Sequence, residues 1–369
     1  MLSRYFGLRE KQTNIKTEIV AGVTTFLTMA YIILVNPAIL SDAGMDKSAV
    51  IAVTCIVSAI ATIAVGFFAN APVAMAPGMG LNAFFAYSLV IGDKINWQTA
   101  LGVVFLSGVF FLLLTLIGLR KKLVDAIPQE LVMAMSVGIG LFITFIGLVN
   151  MGIVVKNDAT LVSAGKLTPT VIIGLFGLLV MVILEMKKIK GSLLIGVAAA
   201  TGAALLAGKV AWPENVFDFH CDISAVFFKL DIIGALKWSM LGAIFSLMFM
   251  DMFDSVGTLA ACCHQANMVN KDKTIKGLDR LLGIDALATM VGALFGTSTT
   301  TAYLESASGI EQGGRSGLTS IVTGGLFLVS LLFVPLVGIV PGYATAPALI
   351  MVGLFMMKEI SNINFGDIE

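Results

Sequence analysis

Charge is what this chain has least of: 12% of its 369 residues are Asp, Glu, Lys or Arg, whereas 58% are hydrophobic and the mean hydropathy is +0.97. A soluble domain of this length carries about twice that share of charge. More apolar side chain is present than a water-soluble core can hide, so much of it must face lipid. The few charges balance, 23 basic against 23 acidic, which removes any compositional ground for a nucleic-acid partner. Histidine occurs twice and cysteine four times. Cys55, Cys221, Cys262 and Cys263 make no disulfide framework in so long a chain. Cys262 and Cys263 beside His264 have no second ligand pair at zinc-site spacing, so neither a metal nor another cofactor is expected. No nucleophile motif or phosphate loop is present and neither histidine adjoins an acidic cluster, which leaves an enzyme reading without support. The N-terminus also lacks a short apolar core followed by a cleavage site. Met1 to Thr17 is polar, carries Arg4, Arg9, Lys11 and Lys16, and reads as a cytoplasmic leader into the first span.

What is there in quantity is apolar runs of membrane length, roughly 20 residues each. Twelve are expected, at 18–40, 48–69, 71–92, 99–119, 128–152, 168–186, 192–208, 237–260, 281–295, 297–312, 317–340 and 343–357. The ninth and tenth are short, and the tenth is too polar to be found by hydropathy. Short cytoplasmic loops collect lysine and arginine. With the N-terminus inside, 16 of the 23 basic residues fall on the cytoplasmic side, in the leader, at Arg120 to Lys122, at Lys187 to Lys190, at Lys271 to Arg280, and at Arg315 and Lys358. This places the protein in the inner (plasma) membrane. The asymmetry depends on counting 297–312 as a span; were it a loop, everything from Arg315 onward would change sides.

The third and tenth runs interrupt the apolar pattern in matching serial positions. Span three contains Ala76-Pro77-Gly78-Met79-Gly80-Leu81-Asn82-Ala83, and span ten, seven spans on, contains Thr297 to Gly309 with four threonines. Proline, paired glycines and a β-branched polar run are poor material for a continuous helix. Broken backbone at membrane depth is tolerated only where it lines a cavity or is buried in protein. Seven being odd, the second copy is inverted, and paired interruptions in two inverted halves point to a transporter's binding site. A second set of seven spans needs two more helices after Ile360, so the chain reads as a C-terminally truncated form of a 14-span protein.

Charges inside spans cost about 2.5 kcal/mol or more at mid-membrane and are functional candidates. Asp251 and Asp254 stand three residues apart, on one face of the eighth helix. Glu305 lies in span ten, and Asn82 is the one amide of the broken third span. Glu18 and Glu185 lie near the cytoplasmic ends of their spans, within reach of water, and read as structural. The competing reading of the aspartates is a hydrogen-bond network that merely ties helices together. Against it, no lysine or arginine in the spans is at hand to neutralise them. Three carboxylates in low dielectric are not all ionised together, so at least one is expected to hold a proton and to make uptake pH-dependent. Carboxylates accept, a protonated one also donates, and Asn82 does both. That set suits a planar heterocycle and repels a bare anion, which argues against an anion exchanger. Phe84, Phe85, Phe249 and Phe253 are candidate stacking surfaces.

Four segments carry a family resemblance: Glu18 to Pro37 (EIVAGVTTFLTMAYIILVNP), Ala76 to Tyr87 (APGMGLNAFFAY), Met250 to Leu259 (MDMFDSVGTL) and Thr297 to Ile310 (TSTTTAYLESASGI). In order along the whole chain they resemble the azaguanine-type adenine/guanine/hypoxanthine permeases of the nucleobase-ascorbate transporter group. The resemblance implies an all-α polytopic membrane protein with a seven-plus-seven inverted-repeat fold and short β-like breaks in spans three and ten. It implies a core domain (residues 1–120 and 237–341, spans one to four and eight to eleven) moving against a gate domain (121–236 and 342–369, spans five to seven and twelve), the last two gate spans missing. It also implies proton symport of purine bases by alternating access. Carried over by position, Asp251 and Asp254 match the acidic span-eight residues, Glu305 the span-ten carboxylate and Asn82 the span-three asparagine. Gly80 and Ser306 complete the substrate-binding set, with Asp251, Asp254 and Glu305 coupling the proton. The expected partners are the base and membrane lipid, and a homodimer is left open. The alternatives are a pyrimidine or xanthine/urate permease of the same fold, or a non-transporting truncated membrane protein.

Overall fold

The computed structural model describes residues 2–118, 129–213, 215–217, 222–269, 275 and 277–362. Arg120 to Lys122, Lys271, Lys273, Lys276, Cys221 and the residues after Asn362 lie outside the described residues. Eight helices among the described residues are long and apolar enough to cross a membrane. They correspond to expected runs one, two, four, five, six, eight, eleven and twelve. The remaining four runs are present but differ from simple spans. Run three ends as a 14-residue apolar helix, Met79–Gly92, and run seven is Ser192–Leu206. Run nine is a helix from Leu278 to Phe295. Run ten is a short strand followed by the six-residue helix Ser306–Glu311.

Four short strands occur in the described residues. β1 (Met75–Pro77) belongs to span three, β2 (Val154–Asn157) and β3 (Leu161–Ala164) form a hairpin between spans five and six, and β4 (Thr300–Ala302) belongs to span ten. β1 pairs with β4 antiparallel, Met75 opposite Ala302, Ala76 opposite Thr301 and Pro77 opposite Thr300. The ribbon continues through Tyr303 N–H to Ala74 O at 2.9 Å and Gly78 N–H to Thr299 O at 2.9 Å. Each broken span thus satisfies the other's backbone, which the bilayer core cannot do. Pro77 sits where no donor is needed, and a side chain on Gly78 would press on Thr301 at 3.0 Å.

The chain divides into two compact units. The first comprises Met1–Val124 and Phe217–Val334, and the second Asp125–Val216 and Pro335–Glu369. In the second, spans five and twelve cross where Gly147 and Gly353 let backbones approach, and Met151, Ala346 and Ile350 form a buried cluster. Small residues at a helix crossing are the usual device where lipid offers no hydrophobic drive. In the first unit, Gly309 of span ten lies so close to span one that a Cβ there would stand 2.5 Å from Ala21 O. At the start of span two, hydrogen bonds from Ser48 and from Ala49 N–H hold the Asp46 carboxyl below its ordinary range.

One expectation is corrected in the first unit. Glu18 does not reach water: it is fully buried, and its carboxylate accepts hydrogen bonds from the N–H groups of Arg315 (2.9 Å), Ser316 (3.3 Å) and Thr319 (3.2 Å) and from the Thr319 hydroxyl (2.6 Å). These are the unpaired donors at the start of span eleven, so span one supplies a cap in trans. Its structural role stands, for a different reason than proximity to solvent. Glu185, by contrast, is exposed and accepts from Ser192 Oγ at 2.7 Å.

Candidate functional site

The crossing ribbon gathers the residues singled out in the sequence. The helix following β1 carries Gly80, half-buried, and Asn82, fully buried. Asn82 donates from Nδ2 to Asn36 Oδ1 at 2.6 Å, and Asn36 in turn donates to Thr54 (2.8 Å) and Thr297 (3.1 Å). This chain of amides and hydroxyls joins spans one, two, three and ten. Asn82 Oδ1 keeps no hydrogen-bond partner among the described residues. An orphaned buried acceptor costs about 1–3 kcal/mol, so its retention marks a place for a donor.

After β4, Tyr303 donates to Pro77 O at 2.6 Å and locks the ribbon's end. Ser306 Oγ accepts from Ala74 N–H at 3.0 Å, so the hydroxyl's oxygen is committed to the ribbon backbone. Glu305 lies between them, half-buried, with its Oε1 accepting from the Tyr31 hydroxyl at 2.5 Å. Opposite, on the span-eight helix Leu241–Gln265, Asp254 is half-buried beside Thr301, and it and Glu305 act on one another electrostatically. Asp254, Glu305 and Tyr303 therefore share one neighbourhood.

Asp251 faces elsewhere. It is 1% exposed, and its Oδ2 lies 3.1 Å from the Thr289 hydroxyl, which also contacts the Thr300 carbonyl (3.0 Å) and N–H (3.2 Å). Thr289 thus ties span-eight acid to ribbon strand. One turn before it on the span-nine helix stands Asp285, fully buried, with the Ser255 hydroxyl of span eight beside it but neither carboxylate oxygen at full hydrogen-bonding geometry with a described group. Its charged neighbours are Asp251 and Asp254, and among the described residues no basic side chain acts on any of the four acids. Four carboxylic groups without a counter-ion cannot all be ionised in a low-dielectric interior.

Sequence reasoning missed Asp285, although an acid within GIDALATM meets the same criterion that selected Asp251 and Asp254. It also missed Tyr31, Asn36, Thr289 and Tyr303, uncharged groups whose spacing carries no signal until span one meets span ten. Of the candidate stacking rings, Phe85 is fully buried and Phe253 is 5% exposed. Phe84 and Phe249 are half-buried, and Phe249 and Phe253 contact each other at 5.3 Å between centroids.

The permease family model Xan_ur_permease matches residues 16–369. A permease of Methanocaldococcus jannaschii is 47% identical over 99% of this chain and 84% of its own length. The adenine permease AdeQ of Escherichia coli is 42% identical over 99% of this chain and 82% of its own length. The guanine/hypoxanthine permease PbuO of Bacillus subtilis is 41% identical over 99% and 86%. Among solved structures, the transmembrane domain of the cyanobacterial bicarbonate transporter BicA superposes with a TM-score of 0.73 at 16% identity, covering 96% of this chain and 92% of that one. At such identity the likeness concerns the fold, and the seven-plus-seven inverted-repeat expectation holds. With its broken spans paired through a ribbon and its acids gathered around them, the chain belongs to the Xan_ur_permease family of multi-pass membrane transporters.

Proposed function

We propose that this protein is a secondary transporter that imports purine nucleobases, adenine, guanine or hypoxanthine, by proton symport with alternating access. One observation carries the reading. Two half-buried carboxylates, Asp254 and Glu305, share a neighbourhood at the crossing ribbon, the helix that follows β1 carries the orphaned amide oxygen of Asn82, and no basic side chain among the described residues acts on the acids. A purine presents ring N–H donors to such acceptors, and a protonated carboxyl returns a donor to a ring nitrogen or carbonyl. An anion finds no countercharge there. The names borne by AdeQ and PbuO support the same substrate class.

In this reading Glu305, oriented by Tyr31, and Asp254 clamp the ring, with Gly80, Ser306 and Asn82 closing the edge of the site. Asp251 and Asp285 lie deeper and serve the proton together with the clamp acids. The first unit corresponds to the core and the second to the gate, and the N-terminus faces the cytoplasm of a plasma membrane. The test is uptake of radiolabelled hypoxanthine, adenine and guanine at two pH values, with Glu305→Gln and Asp254→Asn alongside. Saturable purine uptake that falls at high pH and is lost in both variants is the expected result. Uptake unaffected by either substitution would reduce the clamp to a structural feature. Displacement by uracil or xanthine in preference to these purines would move the substrate to another base class.

A further inference from the structure

A cavity of about 380 Å³ lies in the first unit at the end where span three finishes and span eight begins. Its walls include Phe84 and Leu89 of span three, Asp93 at the end of that span, and Ser239, Met240 and Ser246 at the start of span eight. Nothing in the clamp described above uses it. Its volume falls within the range of small-molecule sites, about 300–1,000 Å³. Its chemistry resembles the clamp in miniature: beside apolar wall residues stand one aromatic ring, two hydroxyls that both donate and accept and one carboxylate, with no basic side chain among the described residues that line it.

Two features tie this cavity to the clamp. On the span-eight helix, Ser246, Met250 and Asp254 succeed one another every four residues, so they share one face. Eight residues at 1.5 Å each put Asp254 about 12 Å further into the membrane than Ser246. On span three, Phe84 stands two residues beyond Asn82, at the first position of a π-helical segment, Phe84–Gly92. π-Helical turns inside helices frequently mark functional positions. The same two spans that bear clamp residues therefore also form this cavity, one step nearer the membrane surface.

We infer that the cavity is a separate docking site for the base, a vestibule in which Phe84 and Ser246 hold a neutral heterocycle before it passes along the span-eight face to Asp254 and Glu305. The inference rests on the purine-transport reading given above. The Asp93 carboxylate at the mouth disfavours anions, so selection for an uncharged base begins before the clamp is reached.

Thiol protection tests this directly. Cys55, Cys262 and Cys263 are buried, and Cys221→Ser provides a background in which Ser246→Cys reports on the cavity. Membrane vesicles are labelled with a maleimide in the presence and absence of hypoxanthine, with and without Asp254→Asn. The expected result is labelling of Ser246→Cys that hypoxanthine slows severalfold, with the protection persisting when Asp254→Asn has removed clamp binding. Protection that vanishes with Asp254→Asn, or a thiol that never labels in correctly folded protein, would overturn the vestibule. Ser239→Cys gives the same readout should Ser246→Cys fail to fold. A second measurement is Ala243→Phe, at a further residue of the cavity wall, which fills the cavity. It is expected to abolish uptake while leaving equilibrium hypoxanthine binding to the detergent-solubilised protein within a fewfold of wild type. Unimpaired uptake in that variant would also count against the vestibule. Failure of the transport reading is distinguishable, because wild-type protein would then show no purine uptake whatever the thiols report.

Discussion

Asp285 sets the electrostatic problem at the residue scale, since it is buried with the Ser255 hydroxyl beside it while two other acids face it. An ionised group at mid-membrane costs about 2.5–3.5 kcal/mol, so an amide of the same shape relieves the structure of a charge. Asp285→Asn is therefore expected to be at least as thermally stable as the wild type while losing proton-driven uptake. Thermal unfolding in detergent and uptake against a pH gradient measure the two effects, and a less stable variant with normal uptake would contradict both. Tyr31 acts through Glu305. A hydrogen bond to a charged group contributes about 1.5–3 kcal/mol, so Tyr31→Phe should raise the apparent KM for base by roughly tenfold or more. An unchanged KM would mean that Glu305 holds its orientation without the phenol.

At the scale of elements, the start of span eleven depends on an acid from span one. Replacing Glu18 by Gln keeps one acceptor but removes the charge that four donors share, at a cost of about 1–3 kcal/mol. A lowered unfolding temperature is expected, with Glu18→Ala lower still, and an unshifted transition in both would show that water replaces the cap. The long apolar spans were legible because length and hydropathy alone define them, and the interruption of spans three and ten was legible from Pro77, Gly78 and the threonine run. Their pairing as strands was given by family resemblance, because three residues on each side carry no alternating pattern from which register can be read. The reading of Glu18 failed for a related reason. Position along a span locates a residue relative to water, whereas burial depends on a partner helix roughly 300 residues away in sequence. Asp285 was overlooked in a short span, expected at 281–295, that directly follows Asp279 and Arg280, which gives its first turn the look of a helix end rather than a membrane interior.

For the whole molecule, the proposed reading has a cation accompany a neutral base, because no basic side chain among the described residues acts on the four acids. With one proton per base, each unit of pH difference, acid outside, supports about tenfold accumulation in proteoliposomes. Accumulation that follows the imposed pH gradient and collapses with a protonophore is expected. Accumulation driven equally well by a sodium gradient at uniform pH would assign the coupling to another ion. Family and fold were legible through four motifs along the entire chain, while the hydroxyls and amides that join spans one, nine and ten required the folded chain.

The ribbon also constrains how the protein is made. β1 and β4 satisfy each other's backbone, yet Met75 and Ala302 are separated by most of the chain. At about 5–20 residues per second, the ribosome needs roughly 10–45 s to deliver the second strand after the first. During that interval β1 has unpaired peptide groups and no tolerable place in lipid. Span three must therefore wait in a shielded, hydrated setting beside the insertion machinery until span ten emerges, which makes membrane integration of this protein a late, coordinated event instead of a helix-by-helix one.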